Sequence, residues 1–471
     1  MPEVHNEYSI TNVQVLGVDE SERVKTDGRY IYYSNNADRR IYIADASDPN
    51  AVSVRKSIKI PDSFANPELF LTNDRLVILS TRYAPSQASD GVRYSRYWSD
   101  RSVRTAAIVY DTSDIDNLKL ERYELLDGSF ERSRMIGDTL YVVSSTYVHM
   151  PYSWQQGGKN SEFSTFDQAF DAADILPRYA ELRSVSSAAD GNVTVRGRKI
   201  AYRLSSGASV DCSDVAYILP NDESVSQFGF NPRFVTLSAI DTSDASKEIA
   251  TDVVLGDLNE VYMSLDHLYL TSRIYDSEPA LFRCPVDAFC LMPQWGISNT
   301  NTLVHKFSVN GRNLAYDRTA FVPGEPLNQY SMDQSASGSF RIVTSNRSPK
   351  QSTSVYVLDK NFKKIGSLER LAEGEEFKSS RYIGDKLFLV TFQSIDPLFV
   401  IDISNETAPE VIGELKMPGY STYLHSYDEN HLMGIGYDTE MTEWGGTRNG
   451  GIQVALYRID YDERETAESR C

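Results

Sequence analysis

Gly384-Asp385-Lys386-Leu387-Phe388-Leu389-Val390-Thr391, answered after a short gap by Leu398-Phe399-Val400-Ile401-Asp402-Ile403-Ser404-Asn405, is the phrase that decides how this chain folds. A polar turn leads into an apolar run that ends in Thr. A second apolar run follows and ends in Asp, with Ser and Asn behind it. Asp, Ser and Asn suit such turns because their side chains bond nearby backbone groups.

The phrase has six relatives. Asp27-Gly28 opens residues 30–34, answered by 41–48, and Asn73-Asp74 opens 76–81, answered by 107–114. Gly137-Asp138 opens 140–145, answered only at 234–244, and Asp266 opens 267–272, answered by 302–309. Gly338-Ser339 opens 340–345, answered by 354–359, and Asn430 opens 431–436, answered by 453–460. The tightest copies start roughly 45 residues apart, the spacing of four-stranded blades. Each pair fits the two middle strands, B and C, of a blade. A short strand A precedes them, as at 133–136 or 380–383, and an outer strand D follows, as at 118–124.

A lone antiparallel sheet of this size has two faces to cover, and stacking blades around an axis covers both. The expected fold is therefore all-β, a propeller of about seven four-stranded antiparallel blades forming a single domain over residues 1–471. The 29 Tyr and 19 Phe, with recurring β-branched residues, suit pleated surfaces and so support strands. A chain of 471 residues is too long for one ordinary core, but repeat units pack only on their neighbours.

Three copies carry insertions between B and C, at about 83–104, 147–233 and 273–301. The second is expected to hold one helix over 163–183, interrupted at Pro177, with Phe166, Phe170, Ile175 and Leu176 on its buried face. The charged tail 461–471 is expected to fray. Residues 10–16 precede the first strand A and are available as an outer strand. Pairing beside 453–459, they would close the ring and seal its edge.

A net charge of −19 repels phosphate backbones, so nucleic acid is not an expected partner, and anionic membrane surfaces are disfavoured likewise. No stretch approaches the ~20 consecutive apolar residues of a membrane span. Residues 1–8 lack a basic segment followed by an apolar core, so either the protein is cytoplasmic or an export segment lies outside this chain. Four cysteines are too few for a disulfide scaffold. Cys284 and Cys290 lie close together and are candidates for one disulfide, with reduced or metal-binding thiols as the alternative. Neither a His nor a further Cys is near enough in sequence to complete a zinc site.

No P-loop, dinucleotide glycine fingerprint, His-Glu-x-x-His pair or Gly-x-Ser-x-Gly elbow is present, and no cofactor is expected. Gly434-Ile435-Gly436 lacks a third glycine and reads as strand. A Ser-His-Asp triad stays open, because its members need not be close in sequence. His425 and His431, six apart around Asp428, read as structural rather than as metal ligands, and each acidic turn supplies too few carboxylates for calcium.

Several phrases are more specific. They are Thr11-Asn12-Val13-Gln14-Val15-Leu16-Gly17-Val18-Asp19-Glu20 with Val24-Lys25-Thr26-Asp27-Gly28, then Val322-Pro323-Gly324 with Leu327-Asn328-Gln329-Tyr330-Ser331-Met332-Asp333. Further on come Val390-Thr391-Phe392-Gln393 with Asp396-Pro397-Leu398, and Pro418-Gly419-Tyr420-Ser421 through Tyr423-Leu424-His425 to Asp428-Glu429-Asn430-His431-Leu432. Together they resemble the secreted bacterial and archaeal β-propeller family distantly related to WD-40 repeats. The resemblance implies an extracytoplasmic protein following an export or anchor segment, and if so a Cys284–Cys290 pair that is oxidised. It implies no established reaction or catalytic residue. The family's domain continues for one or two more blades, whereas this chain stops just after Asp460.

Loops on a rigid scaffold tend to carry function, which points to Asn328, Gln329, Asp396 and His425 as ligand-binding candidates near the channel mouth. The expected function is a non-catalytic extracytoplasmic binding or scaffolding propeller for a protein or glycan ligand. The alternative is a propeller hydrolase or lyase acting on polysaccharide or peptide.

Overall fold

The computed structural model describes residues 13–83, 103–147, 179–181, 216–217, 233–276, 299–347, 350–393, 396–417, 419–428, 430–441, 447–459 and 468–470. They form seven antiparallel sheets, each with four consecutive strands, and no α-helix occurs among them. Blade 1 is Val24–Thr26, Tyr30–Asn35, Arg40–Asp45 and Ser53–Lys59. Blade 2 is Phe64–Thr72, Arg75–Tyr83, Val103–Asp111 and Lys119–Asp127, and blade 3 is Ser129–Ile136, Thr139–Tyr147, Arg233–Asp241 and Ala250–Gly256. Blade 4 is Val261–Met263, His267–Asp276, Asn299–Asn310 and Asn313–Pro323, and blade 5 is Met332–Gln334, Phe340–Asn346, Ser352–Leu358 and Lys364–Leu371. Blade 6 is Glu376–Ile383, Lys386–Phe392, Asp396–Asp402 and Glu410–Met417, and blade 7 is Tyr420–Asp428, His431–Met441, Thr447–Arg458 and Glu468–Arg470.

The run at 387–390 is apolar without a break because both faces of blade 6 are covered. Side chains alternate across a strand. Leu387 and Leu389 join Val343, Val355 and Phe377 in the core between blades 5 and 6. Phe388 and Val390 join Leu424, Leu432 and Tyr457 in the core between blades 6 and 7. Four further buried clusters join blades 1 and 2, 2 and 3, 3 and 4, and 4 and 5.

Among the described residues no such cluster joins blade 7 to blade 1. Blade 7 turns Leu432, Ala455 and Tyr457 towards blade 6. Its other face carries the cross-strand pairs Met433–Leu456, Ile435–Val454 and Tyr437–Ile452, and there Ile452 is 80% and Val454 58% exposed. Blade 1 likewise buries Ile41, Ile43 and Ile58 towards blade 2, while Tyr33 and Val54 on its other face are exposed.

The repeated Asp at the end of strand C builds the next turn. Asp45 accepts the Ser47 backbone N–H at 3.0 Å, Asp111 that of Ser113 at 2.9 Å, Asp241 that of Ser243 at 3.0 Å and Asp402 that of Ser404 at 2.8 Å. The Ser47 hydroxyl and N–H hold the Asp45 carboxyl below its ordinary range. Burial works against ionisation of Asp241 and Asp402, yet bonds from Lys247 and Ser243 to the first, and from Lys386 and Ser404 to the second, hold both at about 2.

All three insertions leave strand B and return to strand C, in the consecutive blades 2, 3 and 4. Within the second, the expected helix is not what reaches its C-terminal end: Tyr179–Glu181 is a strand on the outer edge of blade 2, paired with Glu124–Leu126. Ala216–Tyr217 adds a parallel partner outside blade 3. Unpaired outer backbone gains more from these ladders than a helix rich in Asp and Gln gains from one apolar face. The rest of that helix, and Cys212, Cys284, Cys290 and Cys471, lie outside the described residues.

Both terminal expectations are corrected. The tail does not simply fray: Glu468–Arg470 pairs with Leu456–Arg458 as the fourth strand of blade 7. That edge is therefore taken, and residues 13–16 do not pair there. They run instead among the innermost strands, where the exposed groups of several blades offer more hydrogen bonds than one edge.

Candidate functional site in the central channel

The N-terminal segment stitches the inner ring together. Asp19 and Glu20 pair with Met135 and Arg134, inside the innermost strand of blade 3. Glu22 exchanges two backbone bonds with Leu69 of blade 2, at 3.1 and 2.7 Å. The Gln14 side-chain amide donates to the carbonyls of Gln329 and Met332 at the entry to blade 5, at 3.0 and 2.9 Å. Val15 packs against the cores on both sides of blade 4.

The four candidate residues do not share one role. Asn328 caps the short 3-10 turn Gln329–Ser331, accepting the Tyr330 N–H at 3.0 Å. The Gln329 side chain accepts from Arg134 Nη2 at 2.7 Å and donates to Glu20 Oε2 at 3.0 Å, linking the blade 5 entry to blade 3 and to the N-terminal segment. Tyr330, next in sequence, lies edge-on to Tyr423 with ring centroids 5.7 Å apart, beneath the Arg381 guanidinium at 5.0 Å. His425 follows two residues after Tyr423 on the innermost strand of blade 7, where burial and the charge of Arg381 push its imidazole below its ordinary range. Gln329 and His425 thus lie close to the Tyr330–Tyr423 contact between the entry to blade 5 and the innermost strand of blade 7. Asp396 stands on a different strand. It opens the third strand of blade 6, paired with Met417.

Tyr330, Arg381 and Tyr423 are the residues that sequence reading passed over. Tyr330 and Tyr423 stood inside the quoted phrases, but nothing local marks an aromatic as channel-facing, and Arg381 reads as one polar residue of a short strand.

Elsewhere, His305 bonds Ser272 Oγ through Nε2 at 2.9 Å and Thr319 Oγ1 through Nδ1 at 2.8 Å. Burial pushes this imidazole down to about 3, a poor base at neutral pH. Its second partner is a hydroxyl, so no triad forms at this pair. His431 bonds Asp428 at 2.8 Å while His425 lies beside Arg381, so the two histidines share no ligand position. No group of three or more His, Cys, Asp and Glu among the described residues is arranged to hold a metal. Asp333 on the innermost strand of blade 5 is pushed up to about 6 by burial, against the pull of Arg341 at 3.4 Å.

This architecture agrees with comparison to known sequences: the family described as Beta propeller domain matches residues 8–465. The chain belongs to that family. An uncharacterised protein of Methanocaldococcus jannaschii is 27% identical to this propeller over 476 residues, which are 96% of this chain and 67% of the relative. One from Archaeoglobus fulgidus is 26% identical over 484 residues, 96% of this chain and 69% of the relative. Among solved structures, this propeller is similar to the acylaminoacyl peptidase of Pyrococcus horikoshii, with 12% identity, a TM-score of 0.33 and coverage of 96% of this chain and 51% of that one. BamB of Moraxella catarrhalis gives 9% identity and a TM-score of 0.32 over 95% and 98%. No helix among the described residues is long and apolar enough to cross a membrane.

Proposed function

We propose that this propeller is a non-catalytic binding scaffold working outside the cytoplasm, and that it binds its partner through the outward faces of its terminal blades. One observation carries the reading. Six neighbouring pairs of blades bury continuous apolar cores, whereas Ile435, Tyr437, Ile452, Val454 and Leu456 of blade 7 stand exposed together. A contiguous exposed apolar patch marks an interaction surface. Its shape is that of a β-sheet face, so the partner it fits is a protein with an apolar sheet face of its own. The extracytoplasmic setting rests on the sequence resemblance.

The test is photo-crosslinking in cells from position 452, read in cytosolic and envelope fractions. A discrete adduct in the envelope fraction, lost when Val454→Lys and Leu456→Lys are added, is the expected result. Protein confined to the cytosol would overturn the setting. Absence of an adduct, or one indifferent to the lysines, would overturn the surface.

A further inference from the structure

Four arginines are buried among the described residues, and three are each held by at least two oxygen acceptors, although Arg341 Nε has none. Arg122 donates to Glu124 at 2.8 Å and to the carbonyls of Asp241, Asp244 and Lys247. Arg134 donates to Gln329 and to the Ser133 carbonyl, with Glu20 at 3.9 Å. Arg341 meets Asp333, Asp385, Glu406 and the Gly384 carbonyl. Arg381 is the exception. It is 7% exposed, its Nη1 has no acceptor, and its one described neighbour of complementary character is the face of Tyr330.

Leaving a guanidinium buried without an acceptor costs more than a neutral polar group would. The other three buried arginines each have carboxylate, amide or carbonyl oxygens set around them, and among the described residues Arg381 has none. The neighbouring His425 repeats the omission, for its Nδ1 is also covered and unpartnered. These two groups come from the innermost strands of blades 6 and 7, with Tyr330 and Tyr423 beside them. Tyr330, Tyr423 and His425 are each partly exposed, so solvent meets the edge of the spot, while Arg381 Nη1 and His425 Nδ1 themselves are covered.

We propose that Arg381 and His425 form a binding site for a carboxylate, held by the guanidinium and the imidazole with its body against the rings of Tyr330 and Tyr423. The charge count selects the class. Arg381 supplies one positive charge, and His425 is neutral near pH 7 because burial and Arg381 both disfavour its cation. One negative charge balances the site, which fits a monocarboxylate and not a phosphate dianion. The planar guanidinium fork matches the two carboxylate oxygens, and the paired rings favour a planar or apolar body over a hydrated one. The site uses the innermost strand of blade 7 and none of the outward-facing residues Ile435, Tyr437, Ile452, Val454 and Leu456, so loss of partner capture there leaves it standing.

The experiment titrates the full chain with benzoate, acetate and inorganic phosphate by calorimetry, while NMR follows the His425 ring. Saturable benzoate binding, tighter than acetate and far tighter than phosphate, is expected, with the His425 pKa rising as the anion arrives. Arg381→Gln should weaken benzoate by at least about tenfold, the worth of one charge-assisted bond. The same variant should melt no lower than the parent, because it removes an unpaired buried charge. Preference for phosphate would overturn the carboxylate assignment. Failure of every anion to saturate, with the His425 titration unmoved, would show that water satisfies Arg381 and end the proposal. A sharp fall in melting temperature for Arg381→Gln would also end it, since it would mean a structural role.

Discussion

Blades 6 and 7 are neighbours built to one plan, yet their second strands are written differently. In Lys386–Phe392 every residue from Leu387 to Val390 is buried, because a blade packs on each side. In His431–Met441 the apolar residues alternate with glycine. Leu432, Gly434 and Gly436 face blade 6, while Met433, Ile435 and Tyr437 face outward. Glycine there answers a close approach: a Cβ on Gly436 would come 1.8 Å from the Tyr420 carbonyl oxygen, and one on Gly434 2.3 Å from Ser421 Oγ. The two inner strands of blade 7 are pressed tightly together, and the blade packs on blade 6 on one side while its other side is left uncovered. Whether a strand sits in the middle of the stack or at its end is therefore visible in its own side chains.

Substitutions can break this contrast, beginning with the largest expected effect. Leu389→Ala removes a fully buried side chain between blades 5 and 6 and should cost about 2–5 kcal/mol in denaturant unfolding. Ile435→Ala, on the outward face of the second strand of blade 7, should cost well under half as much. Equal costs would mean that the outward face of blade 7 is covered in solution. Next in size, Gly436→Ala should destabilise by about 1–3 kcal/mol, because strand A must move to admit the methyl group. Gly413→Ala in blade 6, which meets only Val400 at 3.7 Å, should change stability little. A harmless Gly436→Ala would show that the two inner strands of blade 7 are looser than described.

Smaller still, Ile452→Lys on the outward face should shift stability in denaturant unfolding by no more than about 0.5 kcal/mol, and a larger loss would mean that this face is covered. The smallest effect is that of pH on blade 6. Asp402 is held at about 2, below its ordinary 3.8, so its contribution is fully present above pH 3.8 and is lost as pH falls towards 2. Asp402→Asn should flatten the fall of melting temperature across that window. An unchanged slope would mean that the Lys386 and Ser404 contacts do little in water.

The blade pattern was legible in the sequence because middle strands carry it: unbroken runs such as 387–390 report two buried faces, and the trailing Asp reports a turn that needs its carboxylate. Strands of two or three residues carry no alternation to read, and so Asp19–Glu20 and Glu468–Arg470 escaped notice. The charge of the tail pointed to fraying, yet a strand needs only backbone groups and a free edge. The family-like phrases did contain Gln329 and His425, which lie beside the Tyr330–Tyr423 contact. They could not show that Arg381, from an unremarkable Ser-Ser-Arg run, lacks an acceptor. That is a property of what surrounds a side chain in space, and it has no signature along the chain.

The threading of the N-terminal segment among the inner strands also sets an order of events. The Gln14 side-chain amide donates a hydrogen bond to a carbonyl 315 residues further on. At 5–20 residues per second, a ribosome delivers that partner about 15–60 s after Gln14 itself is made. Gln14 must wait while blades 1 to 4 are made, and its docking dates the arrival of the entry to blade 5.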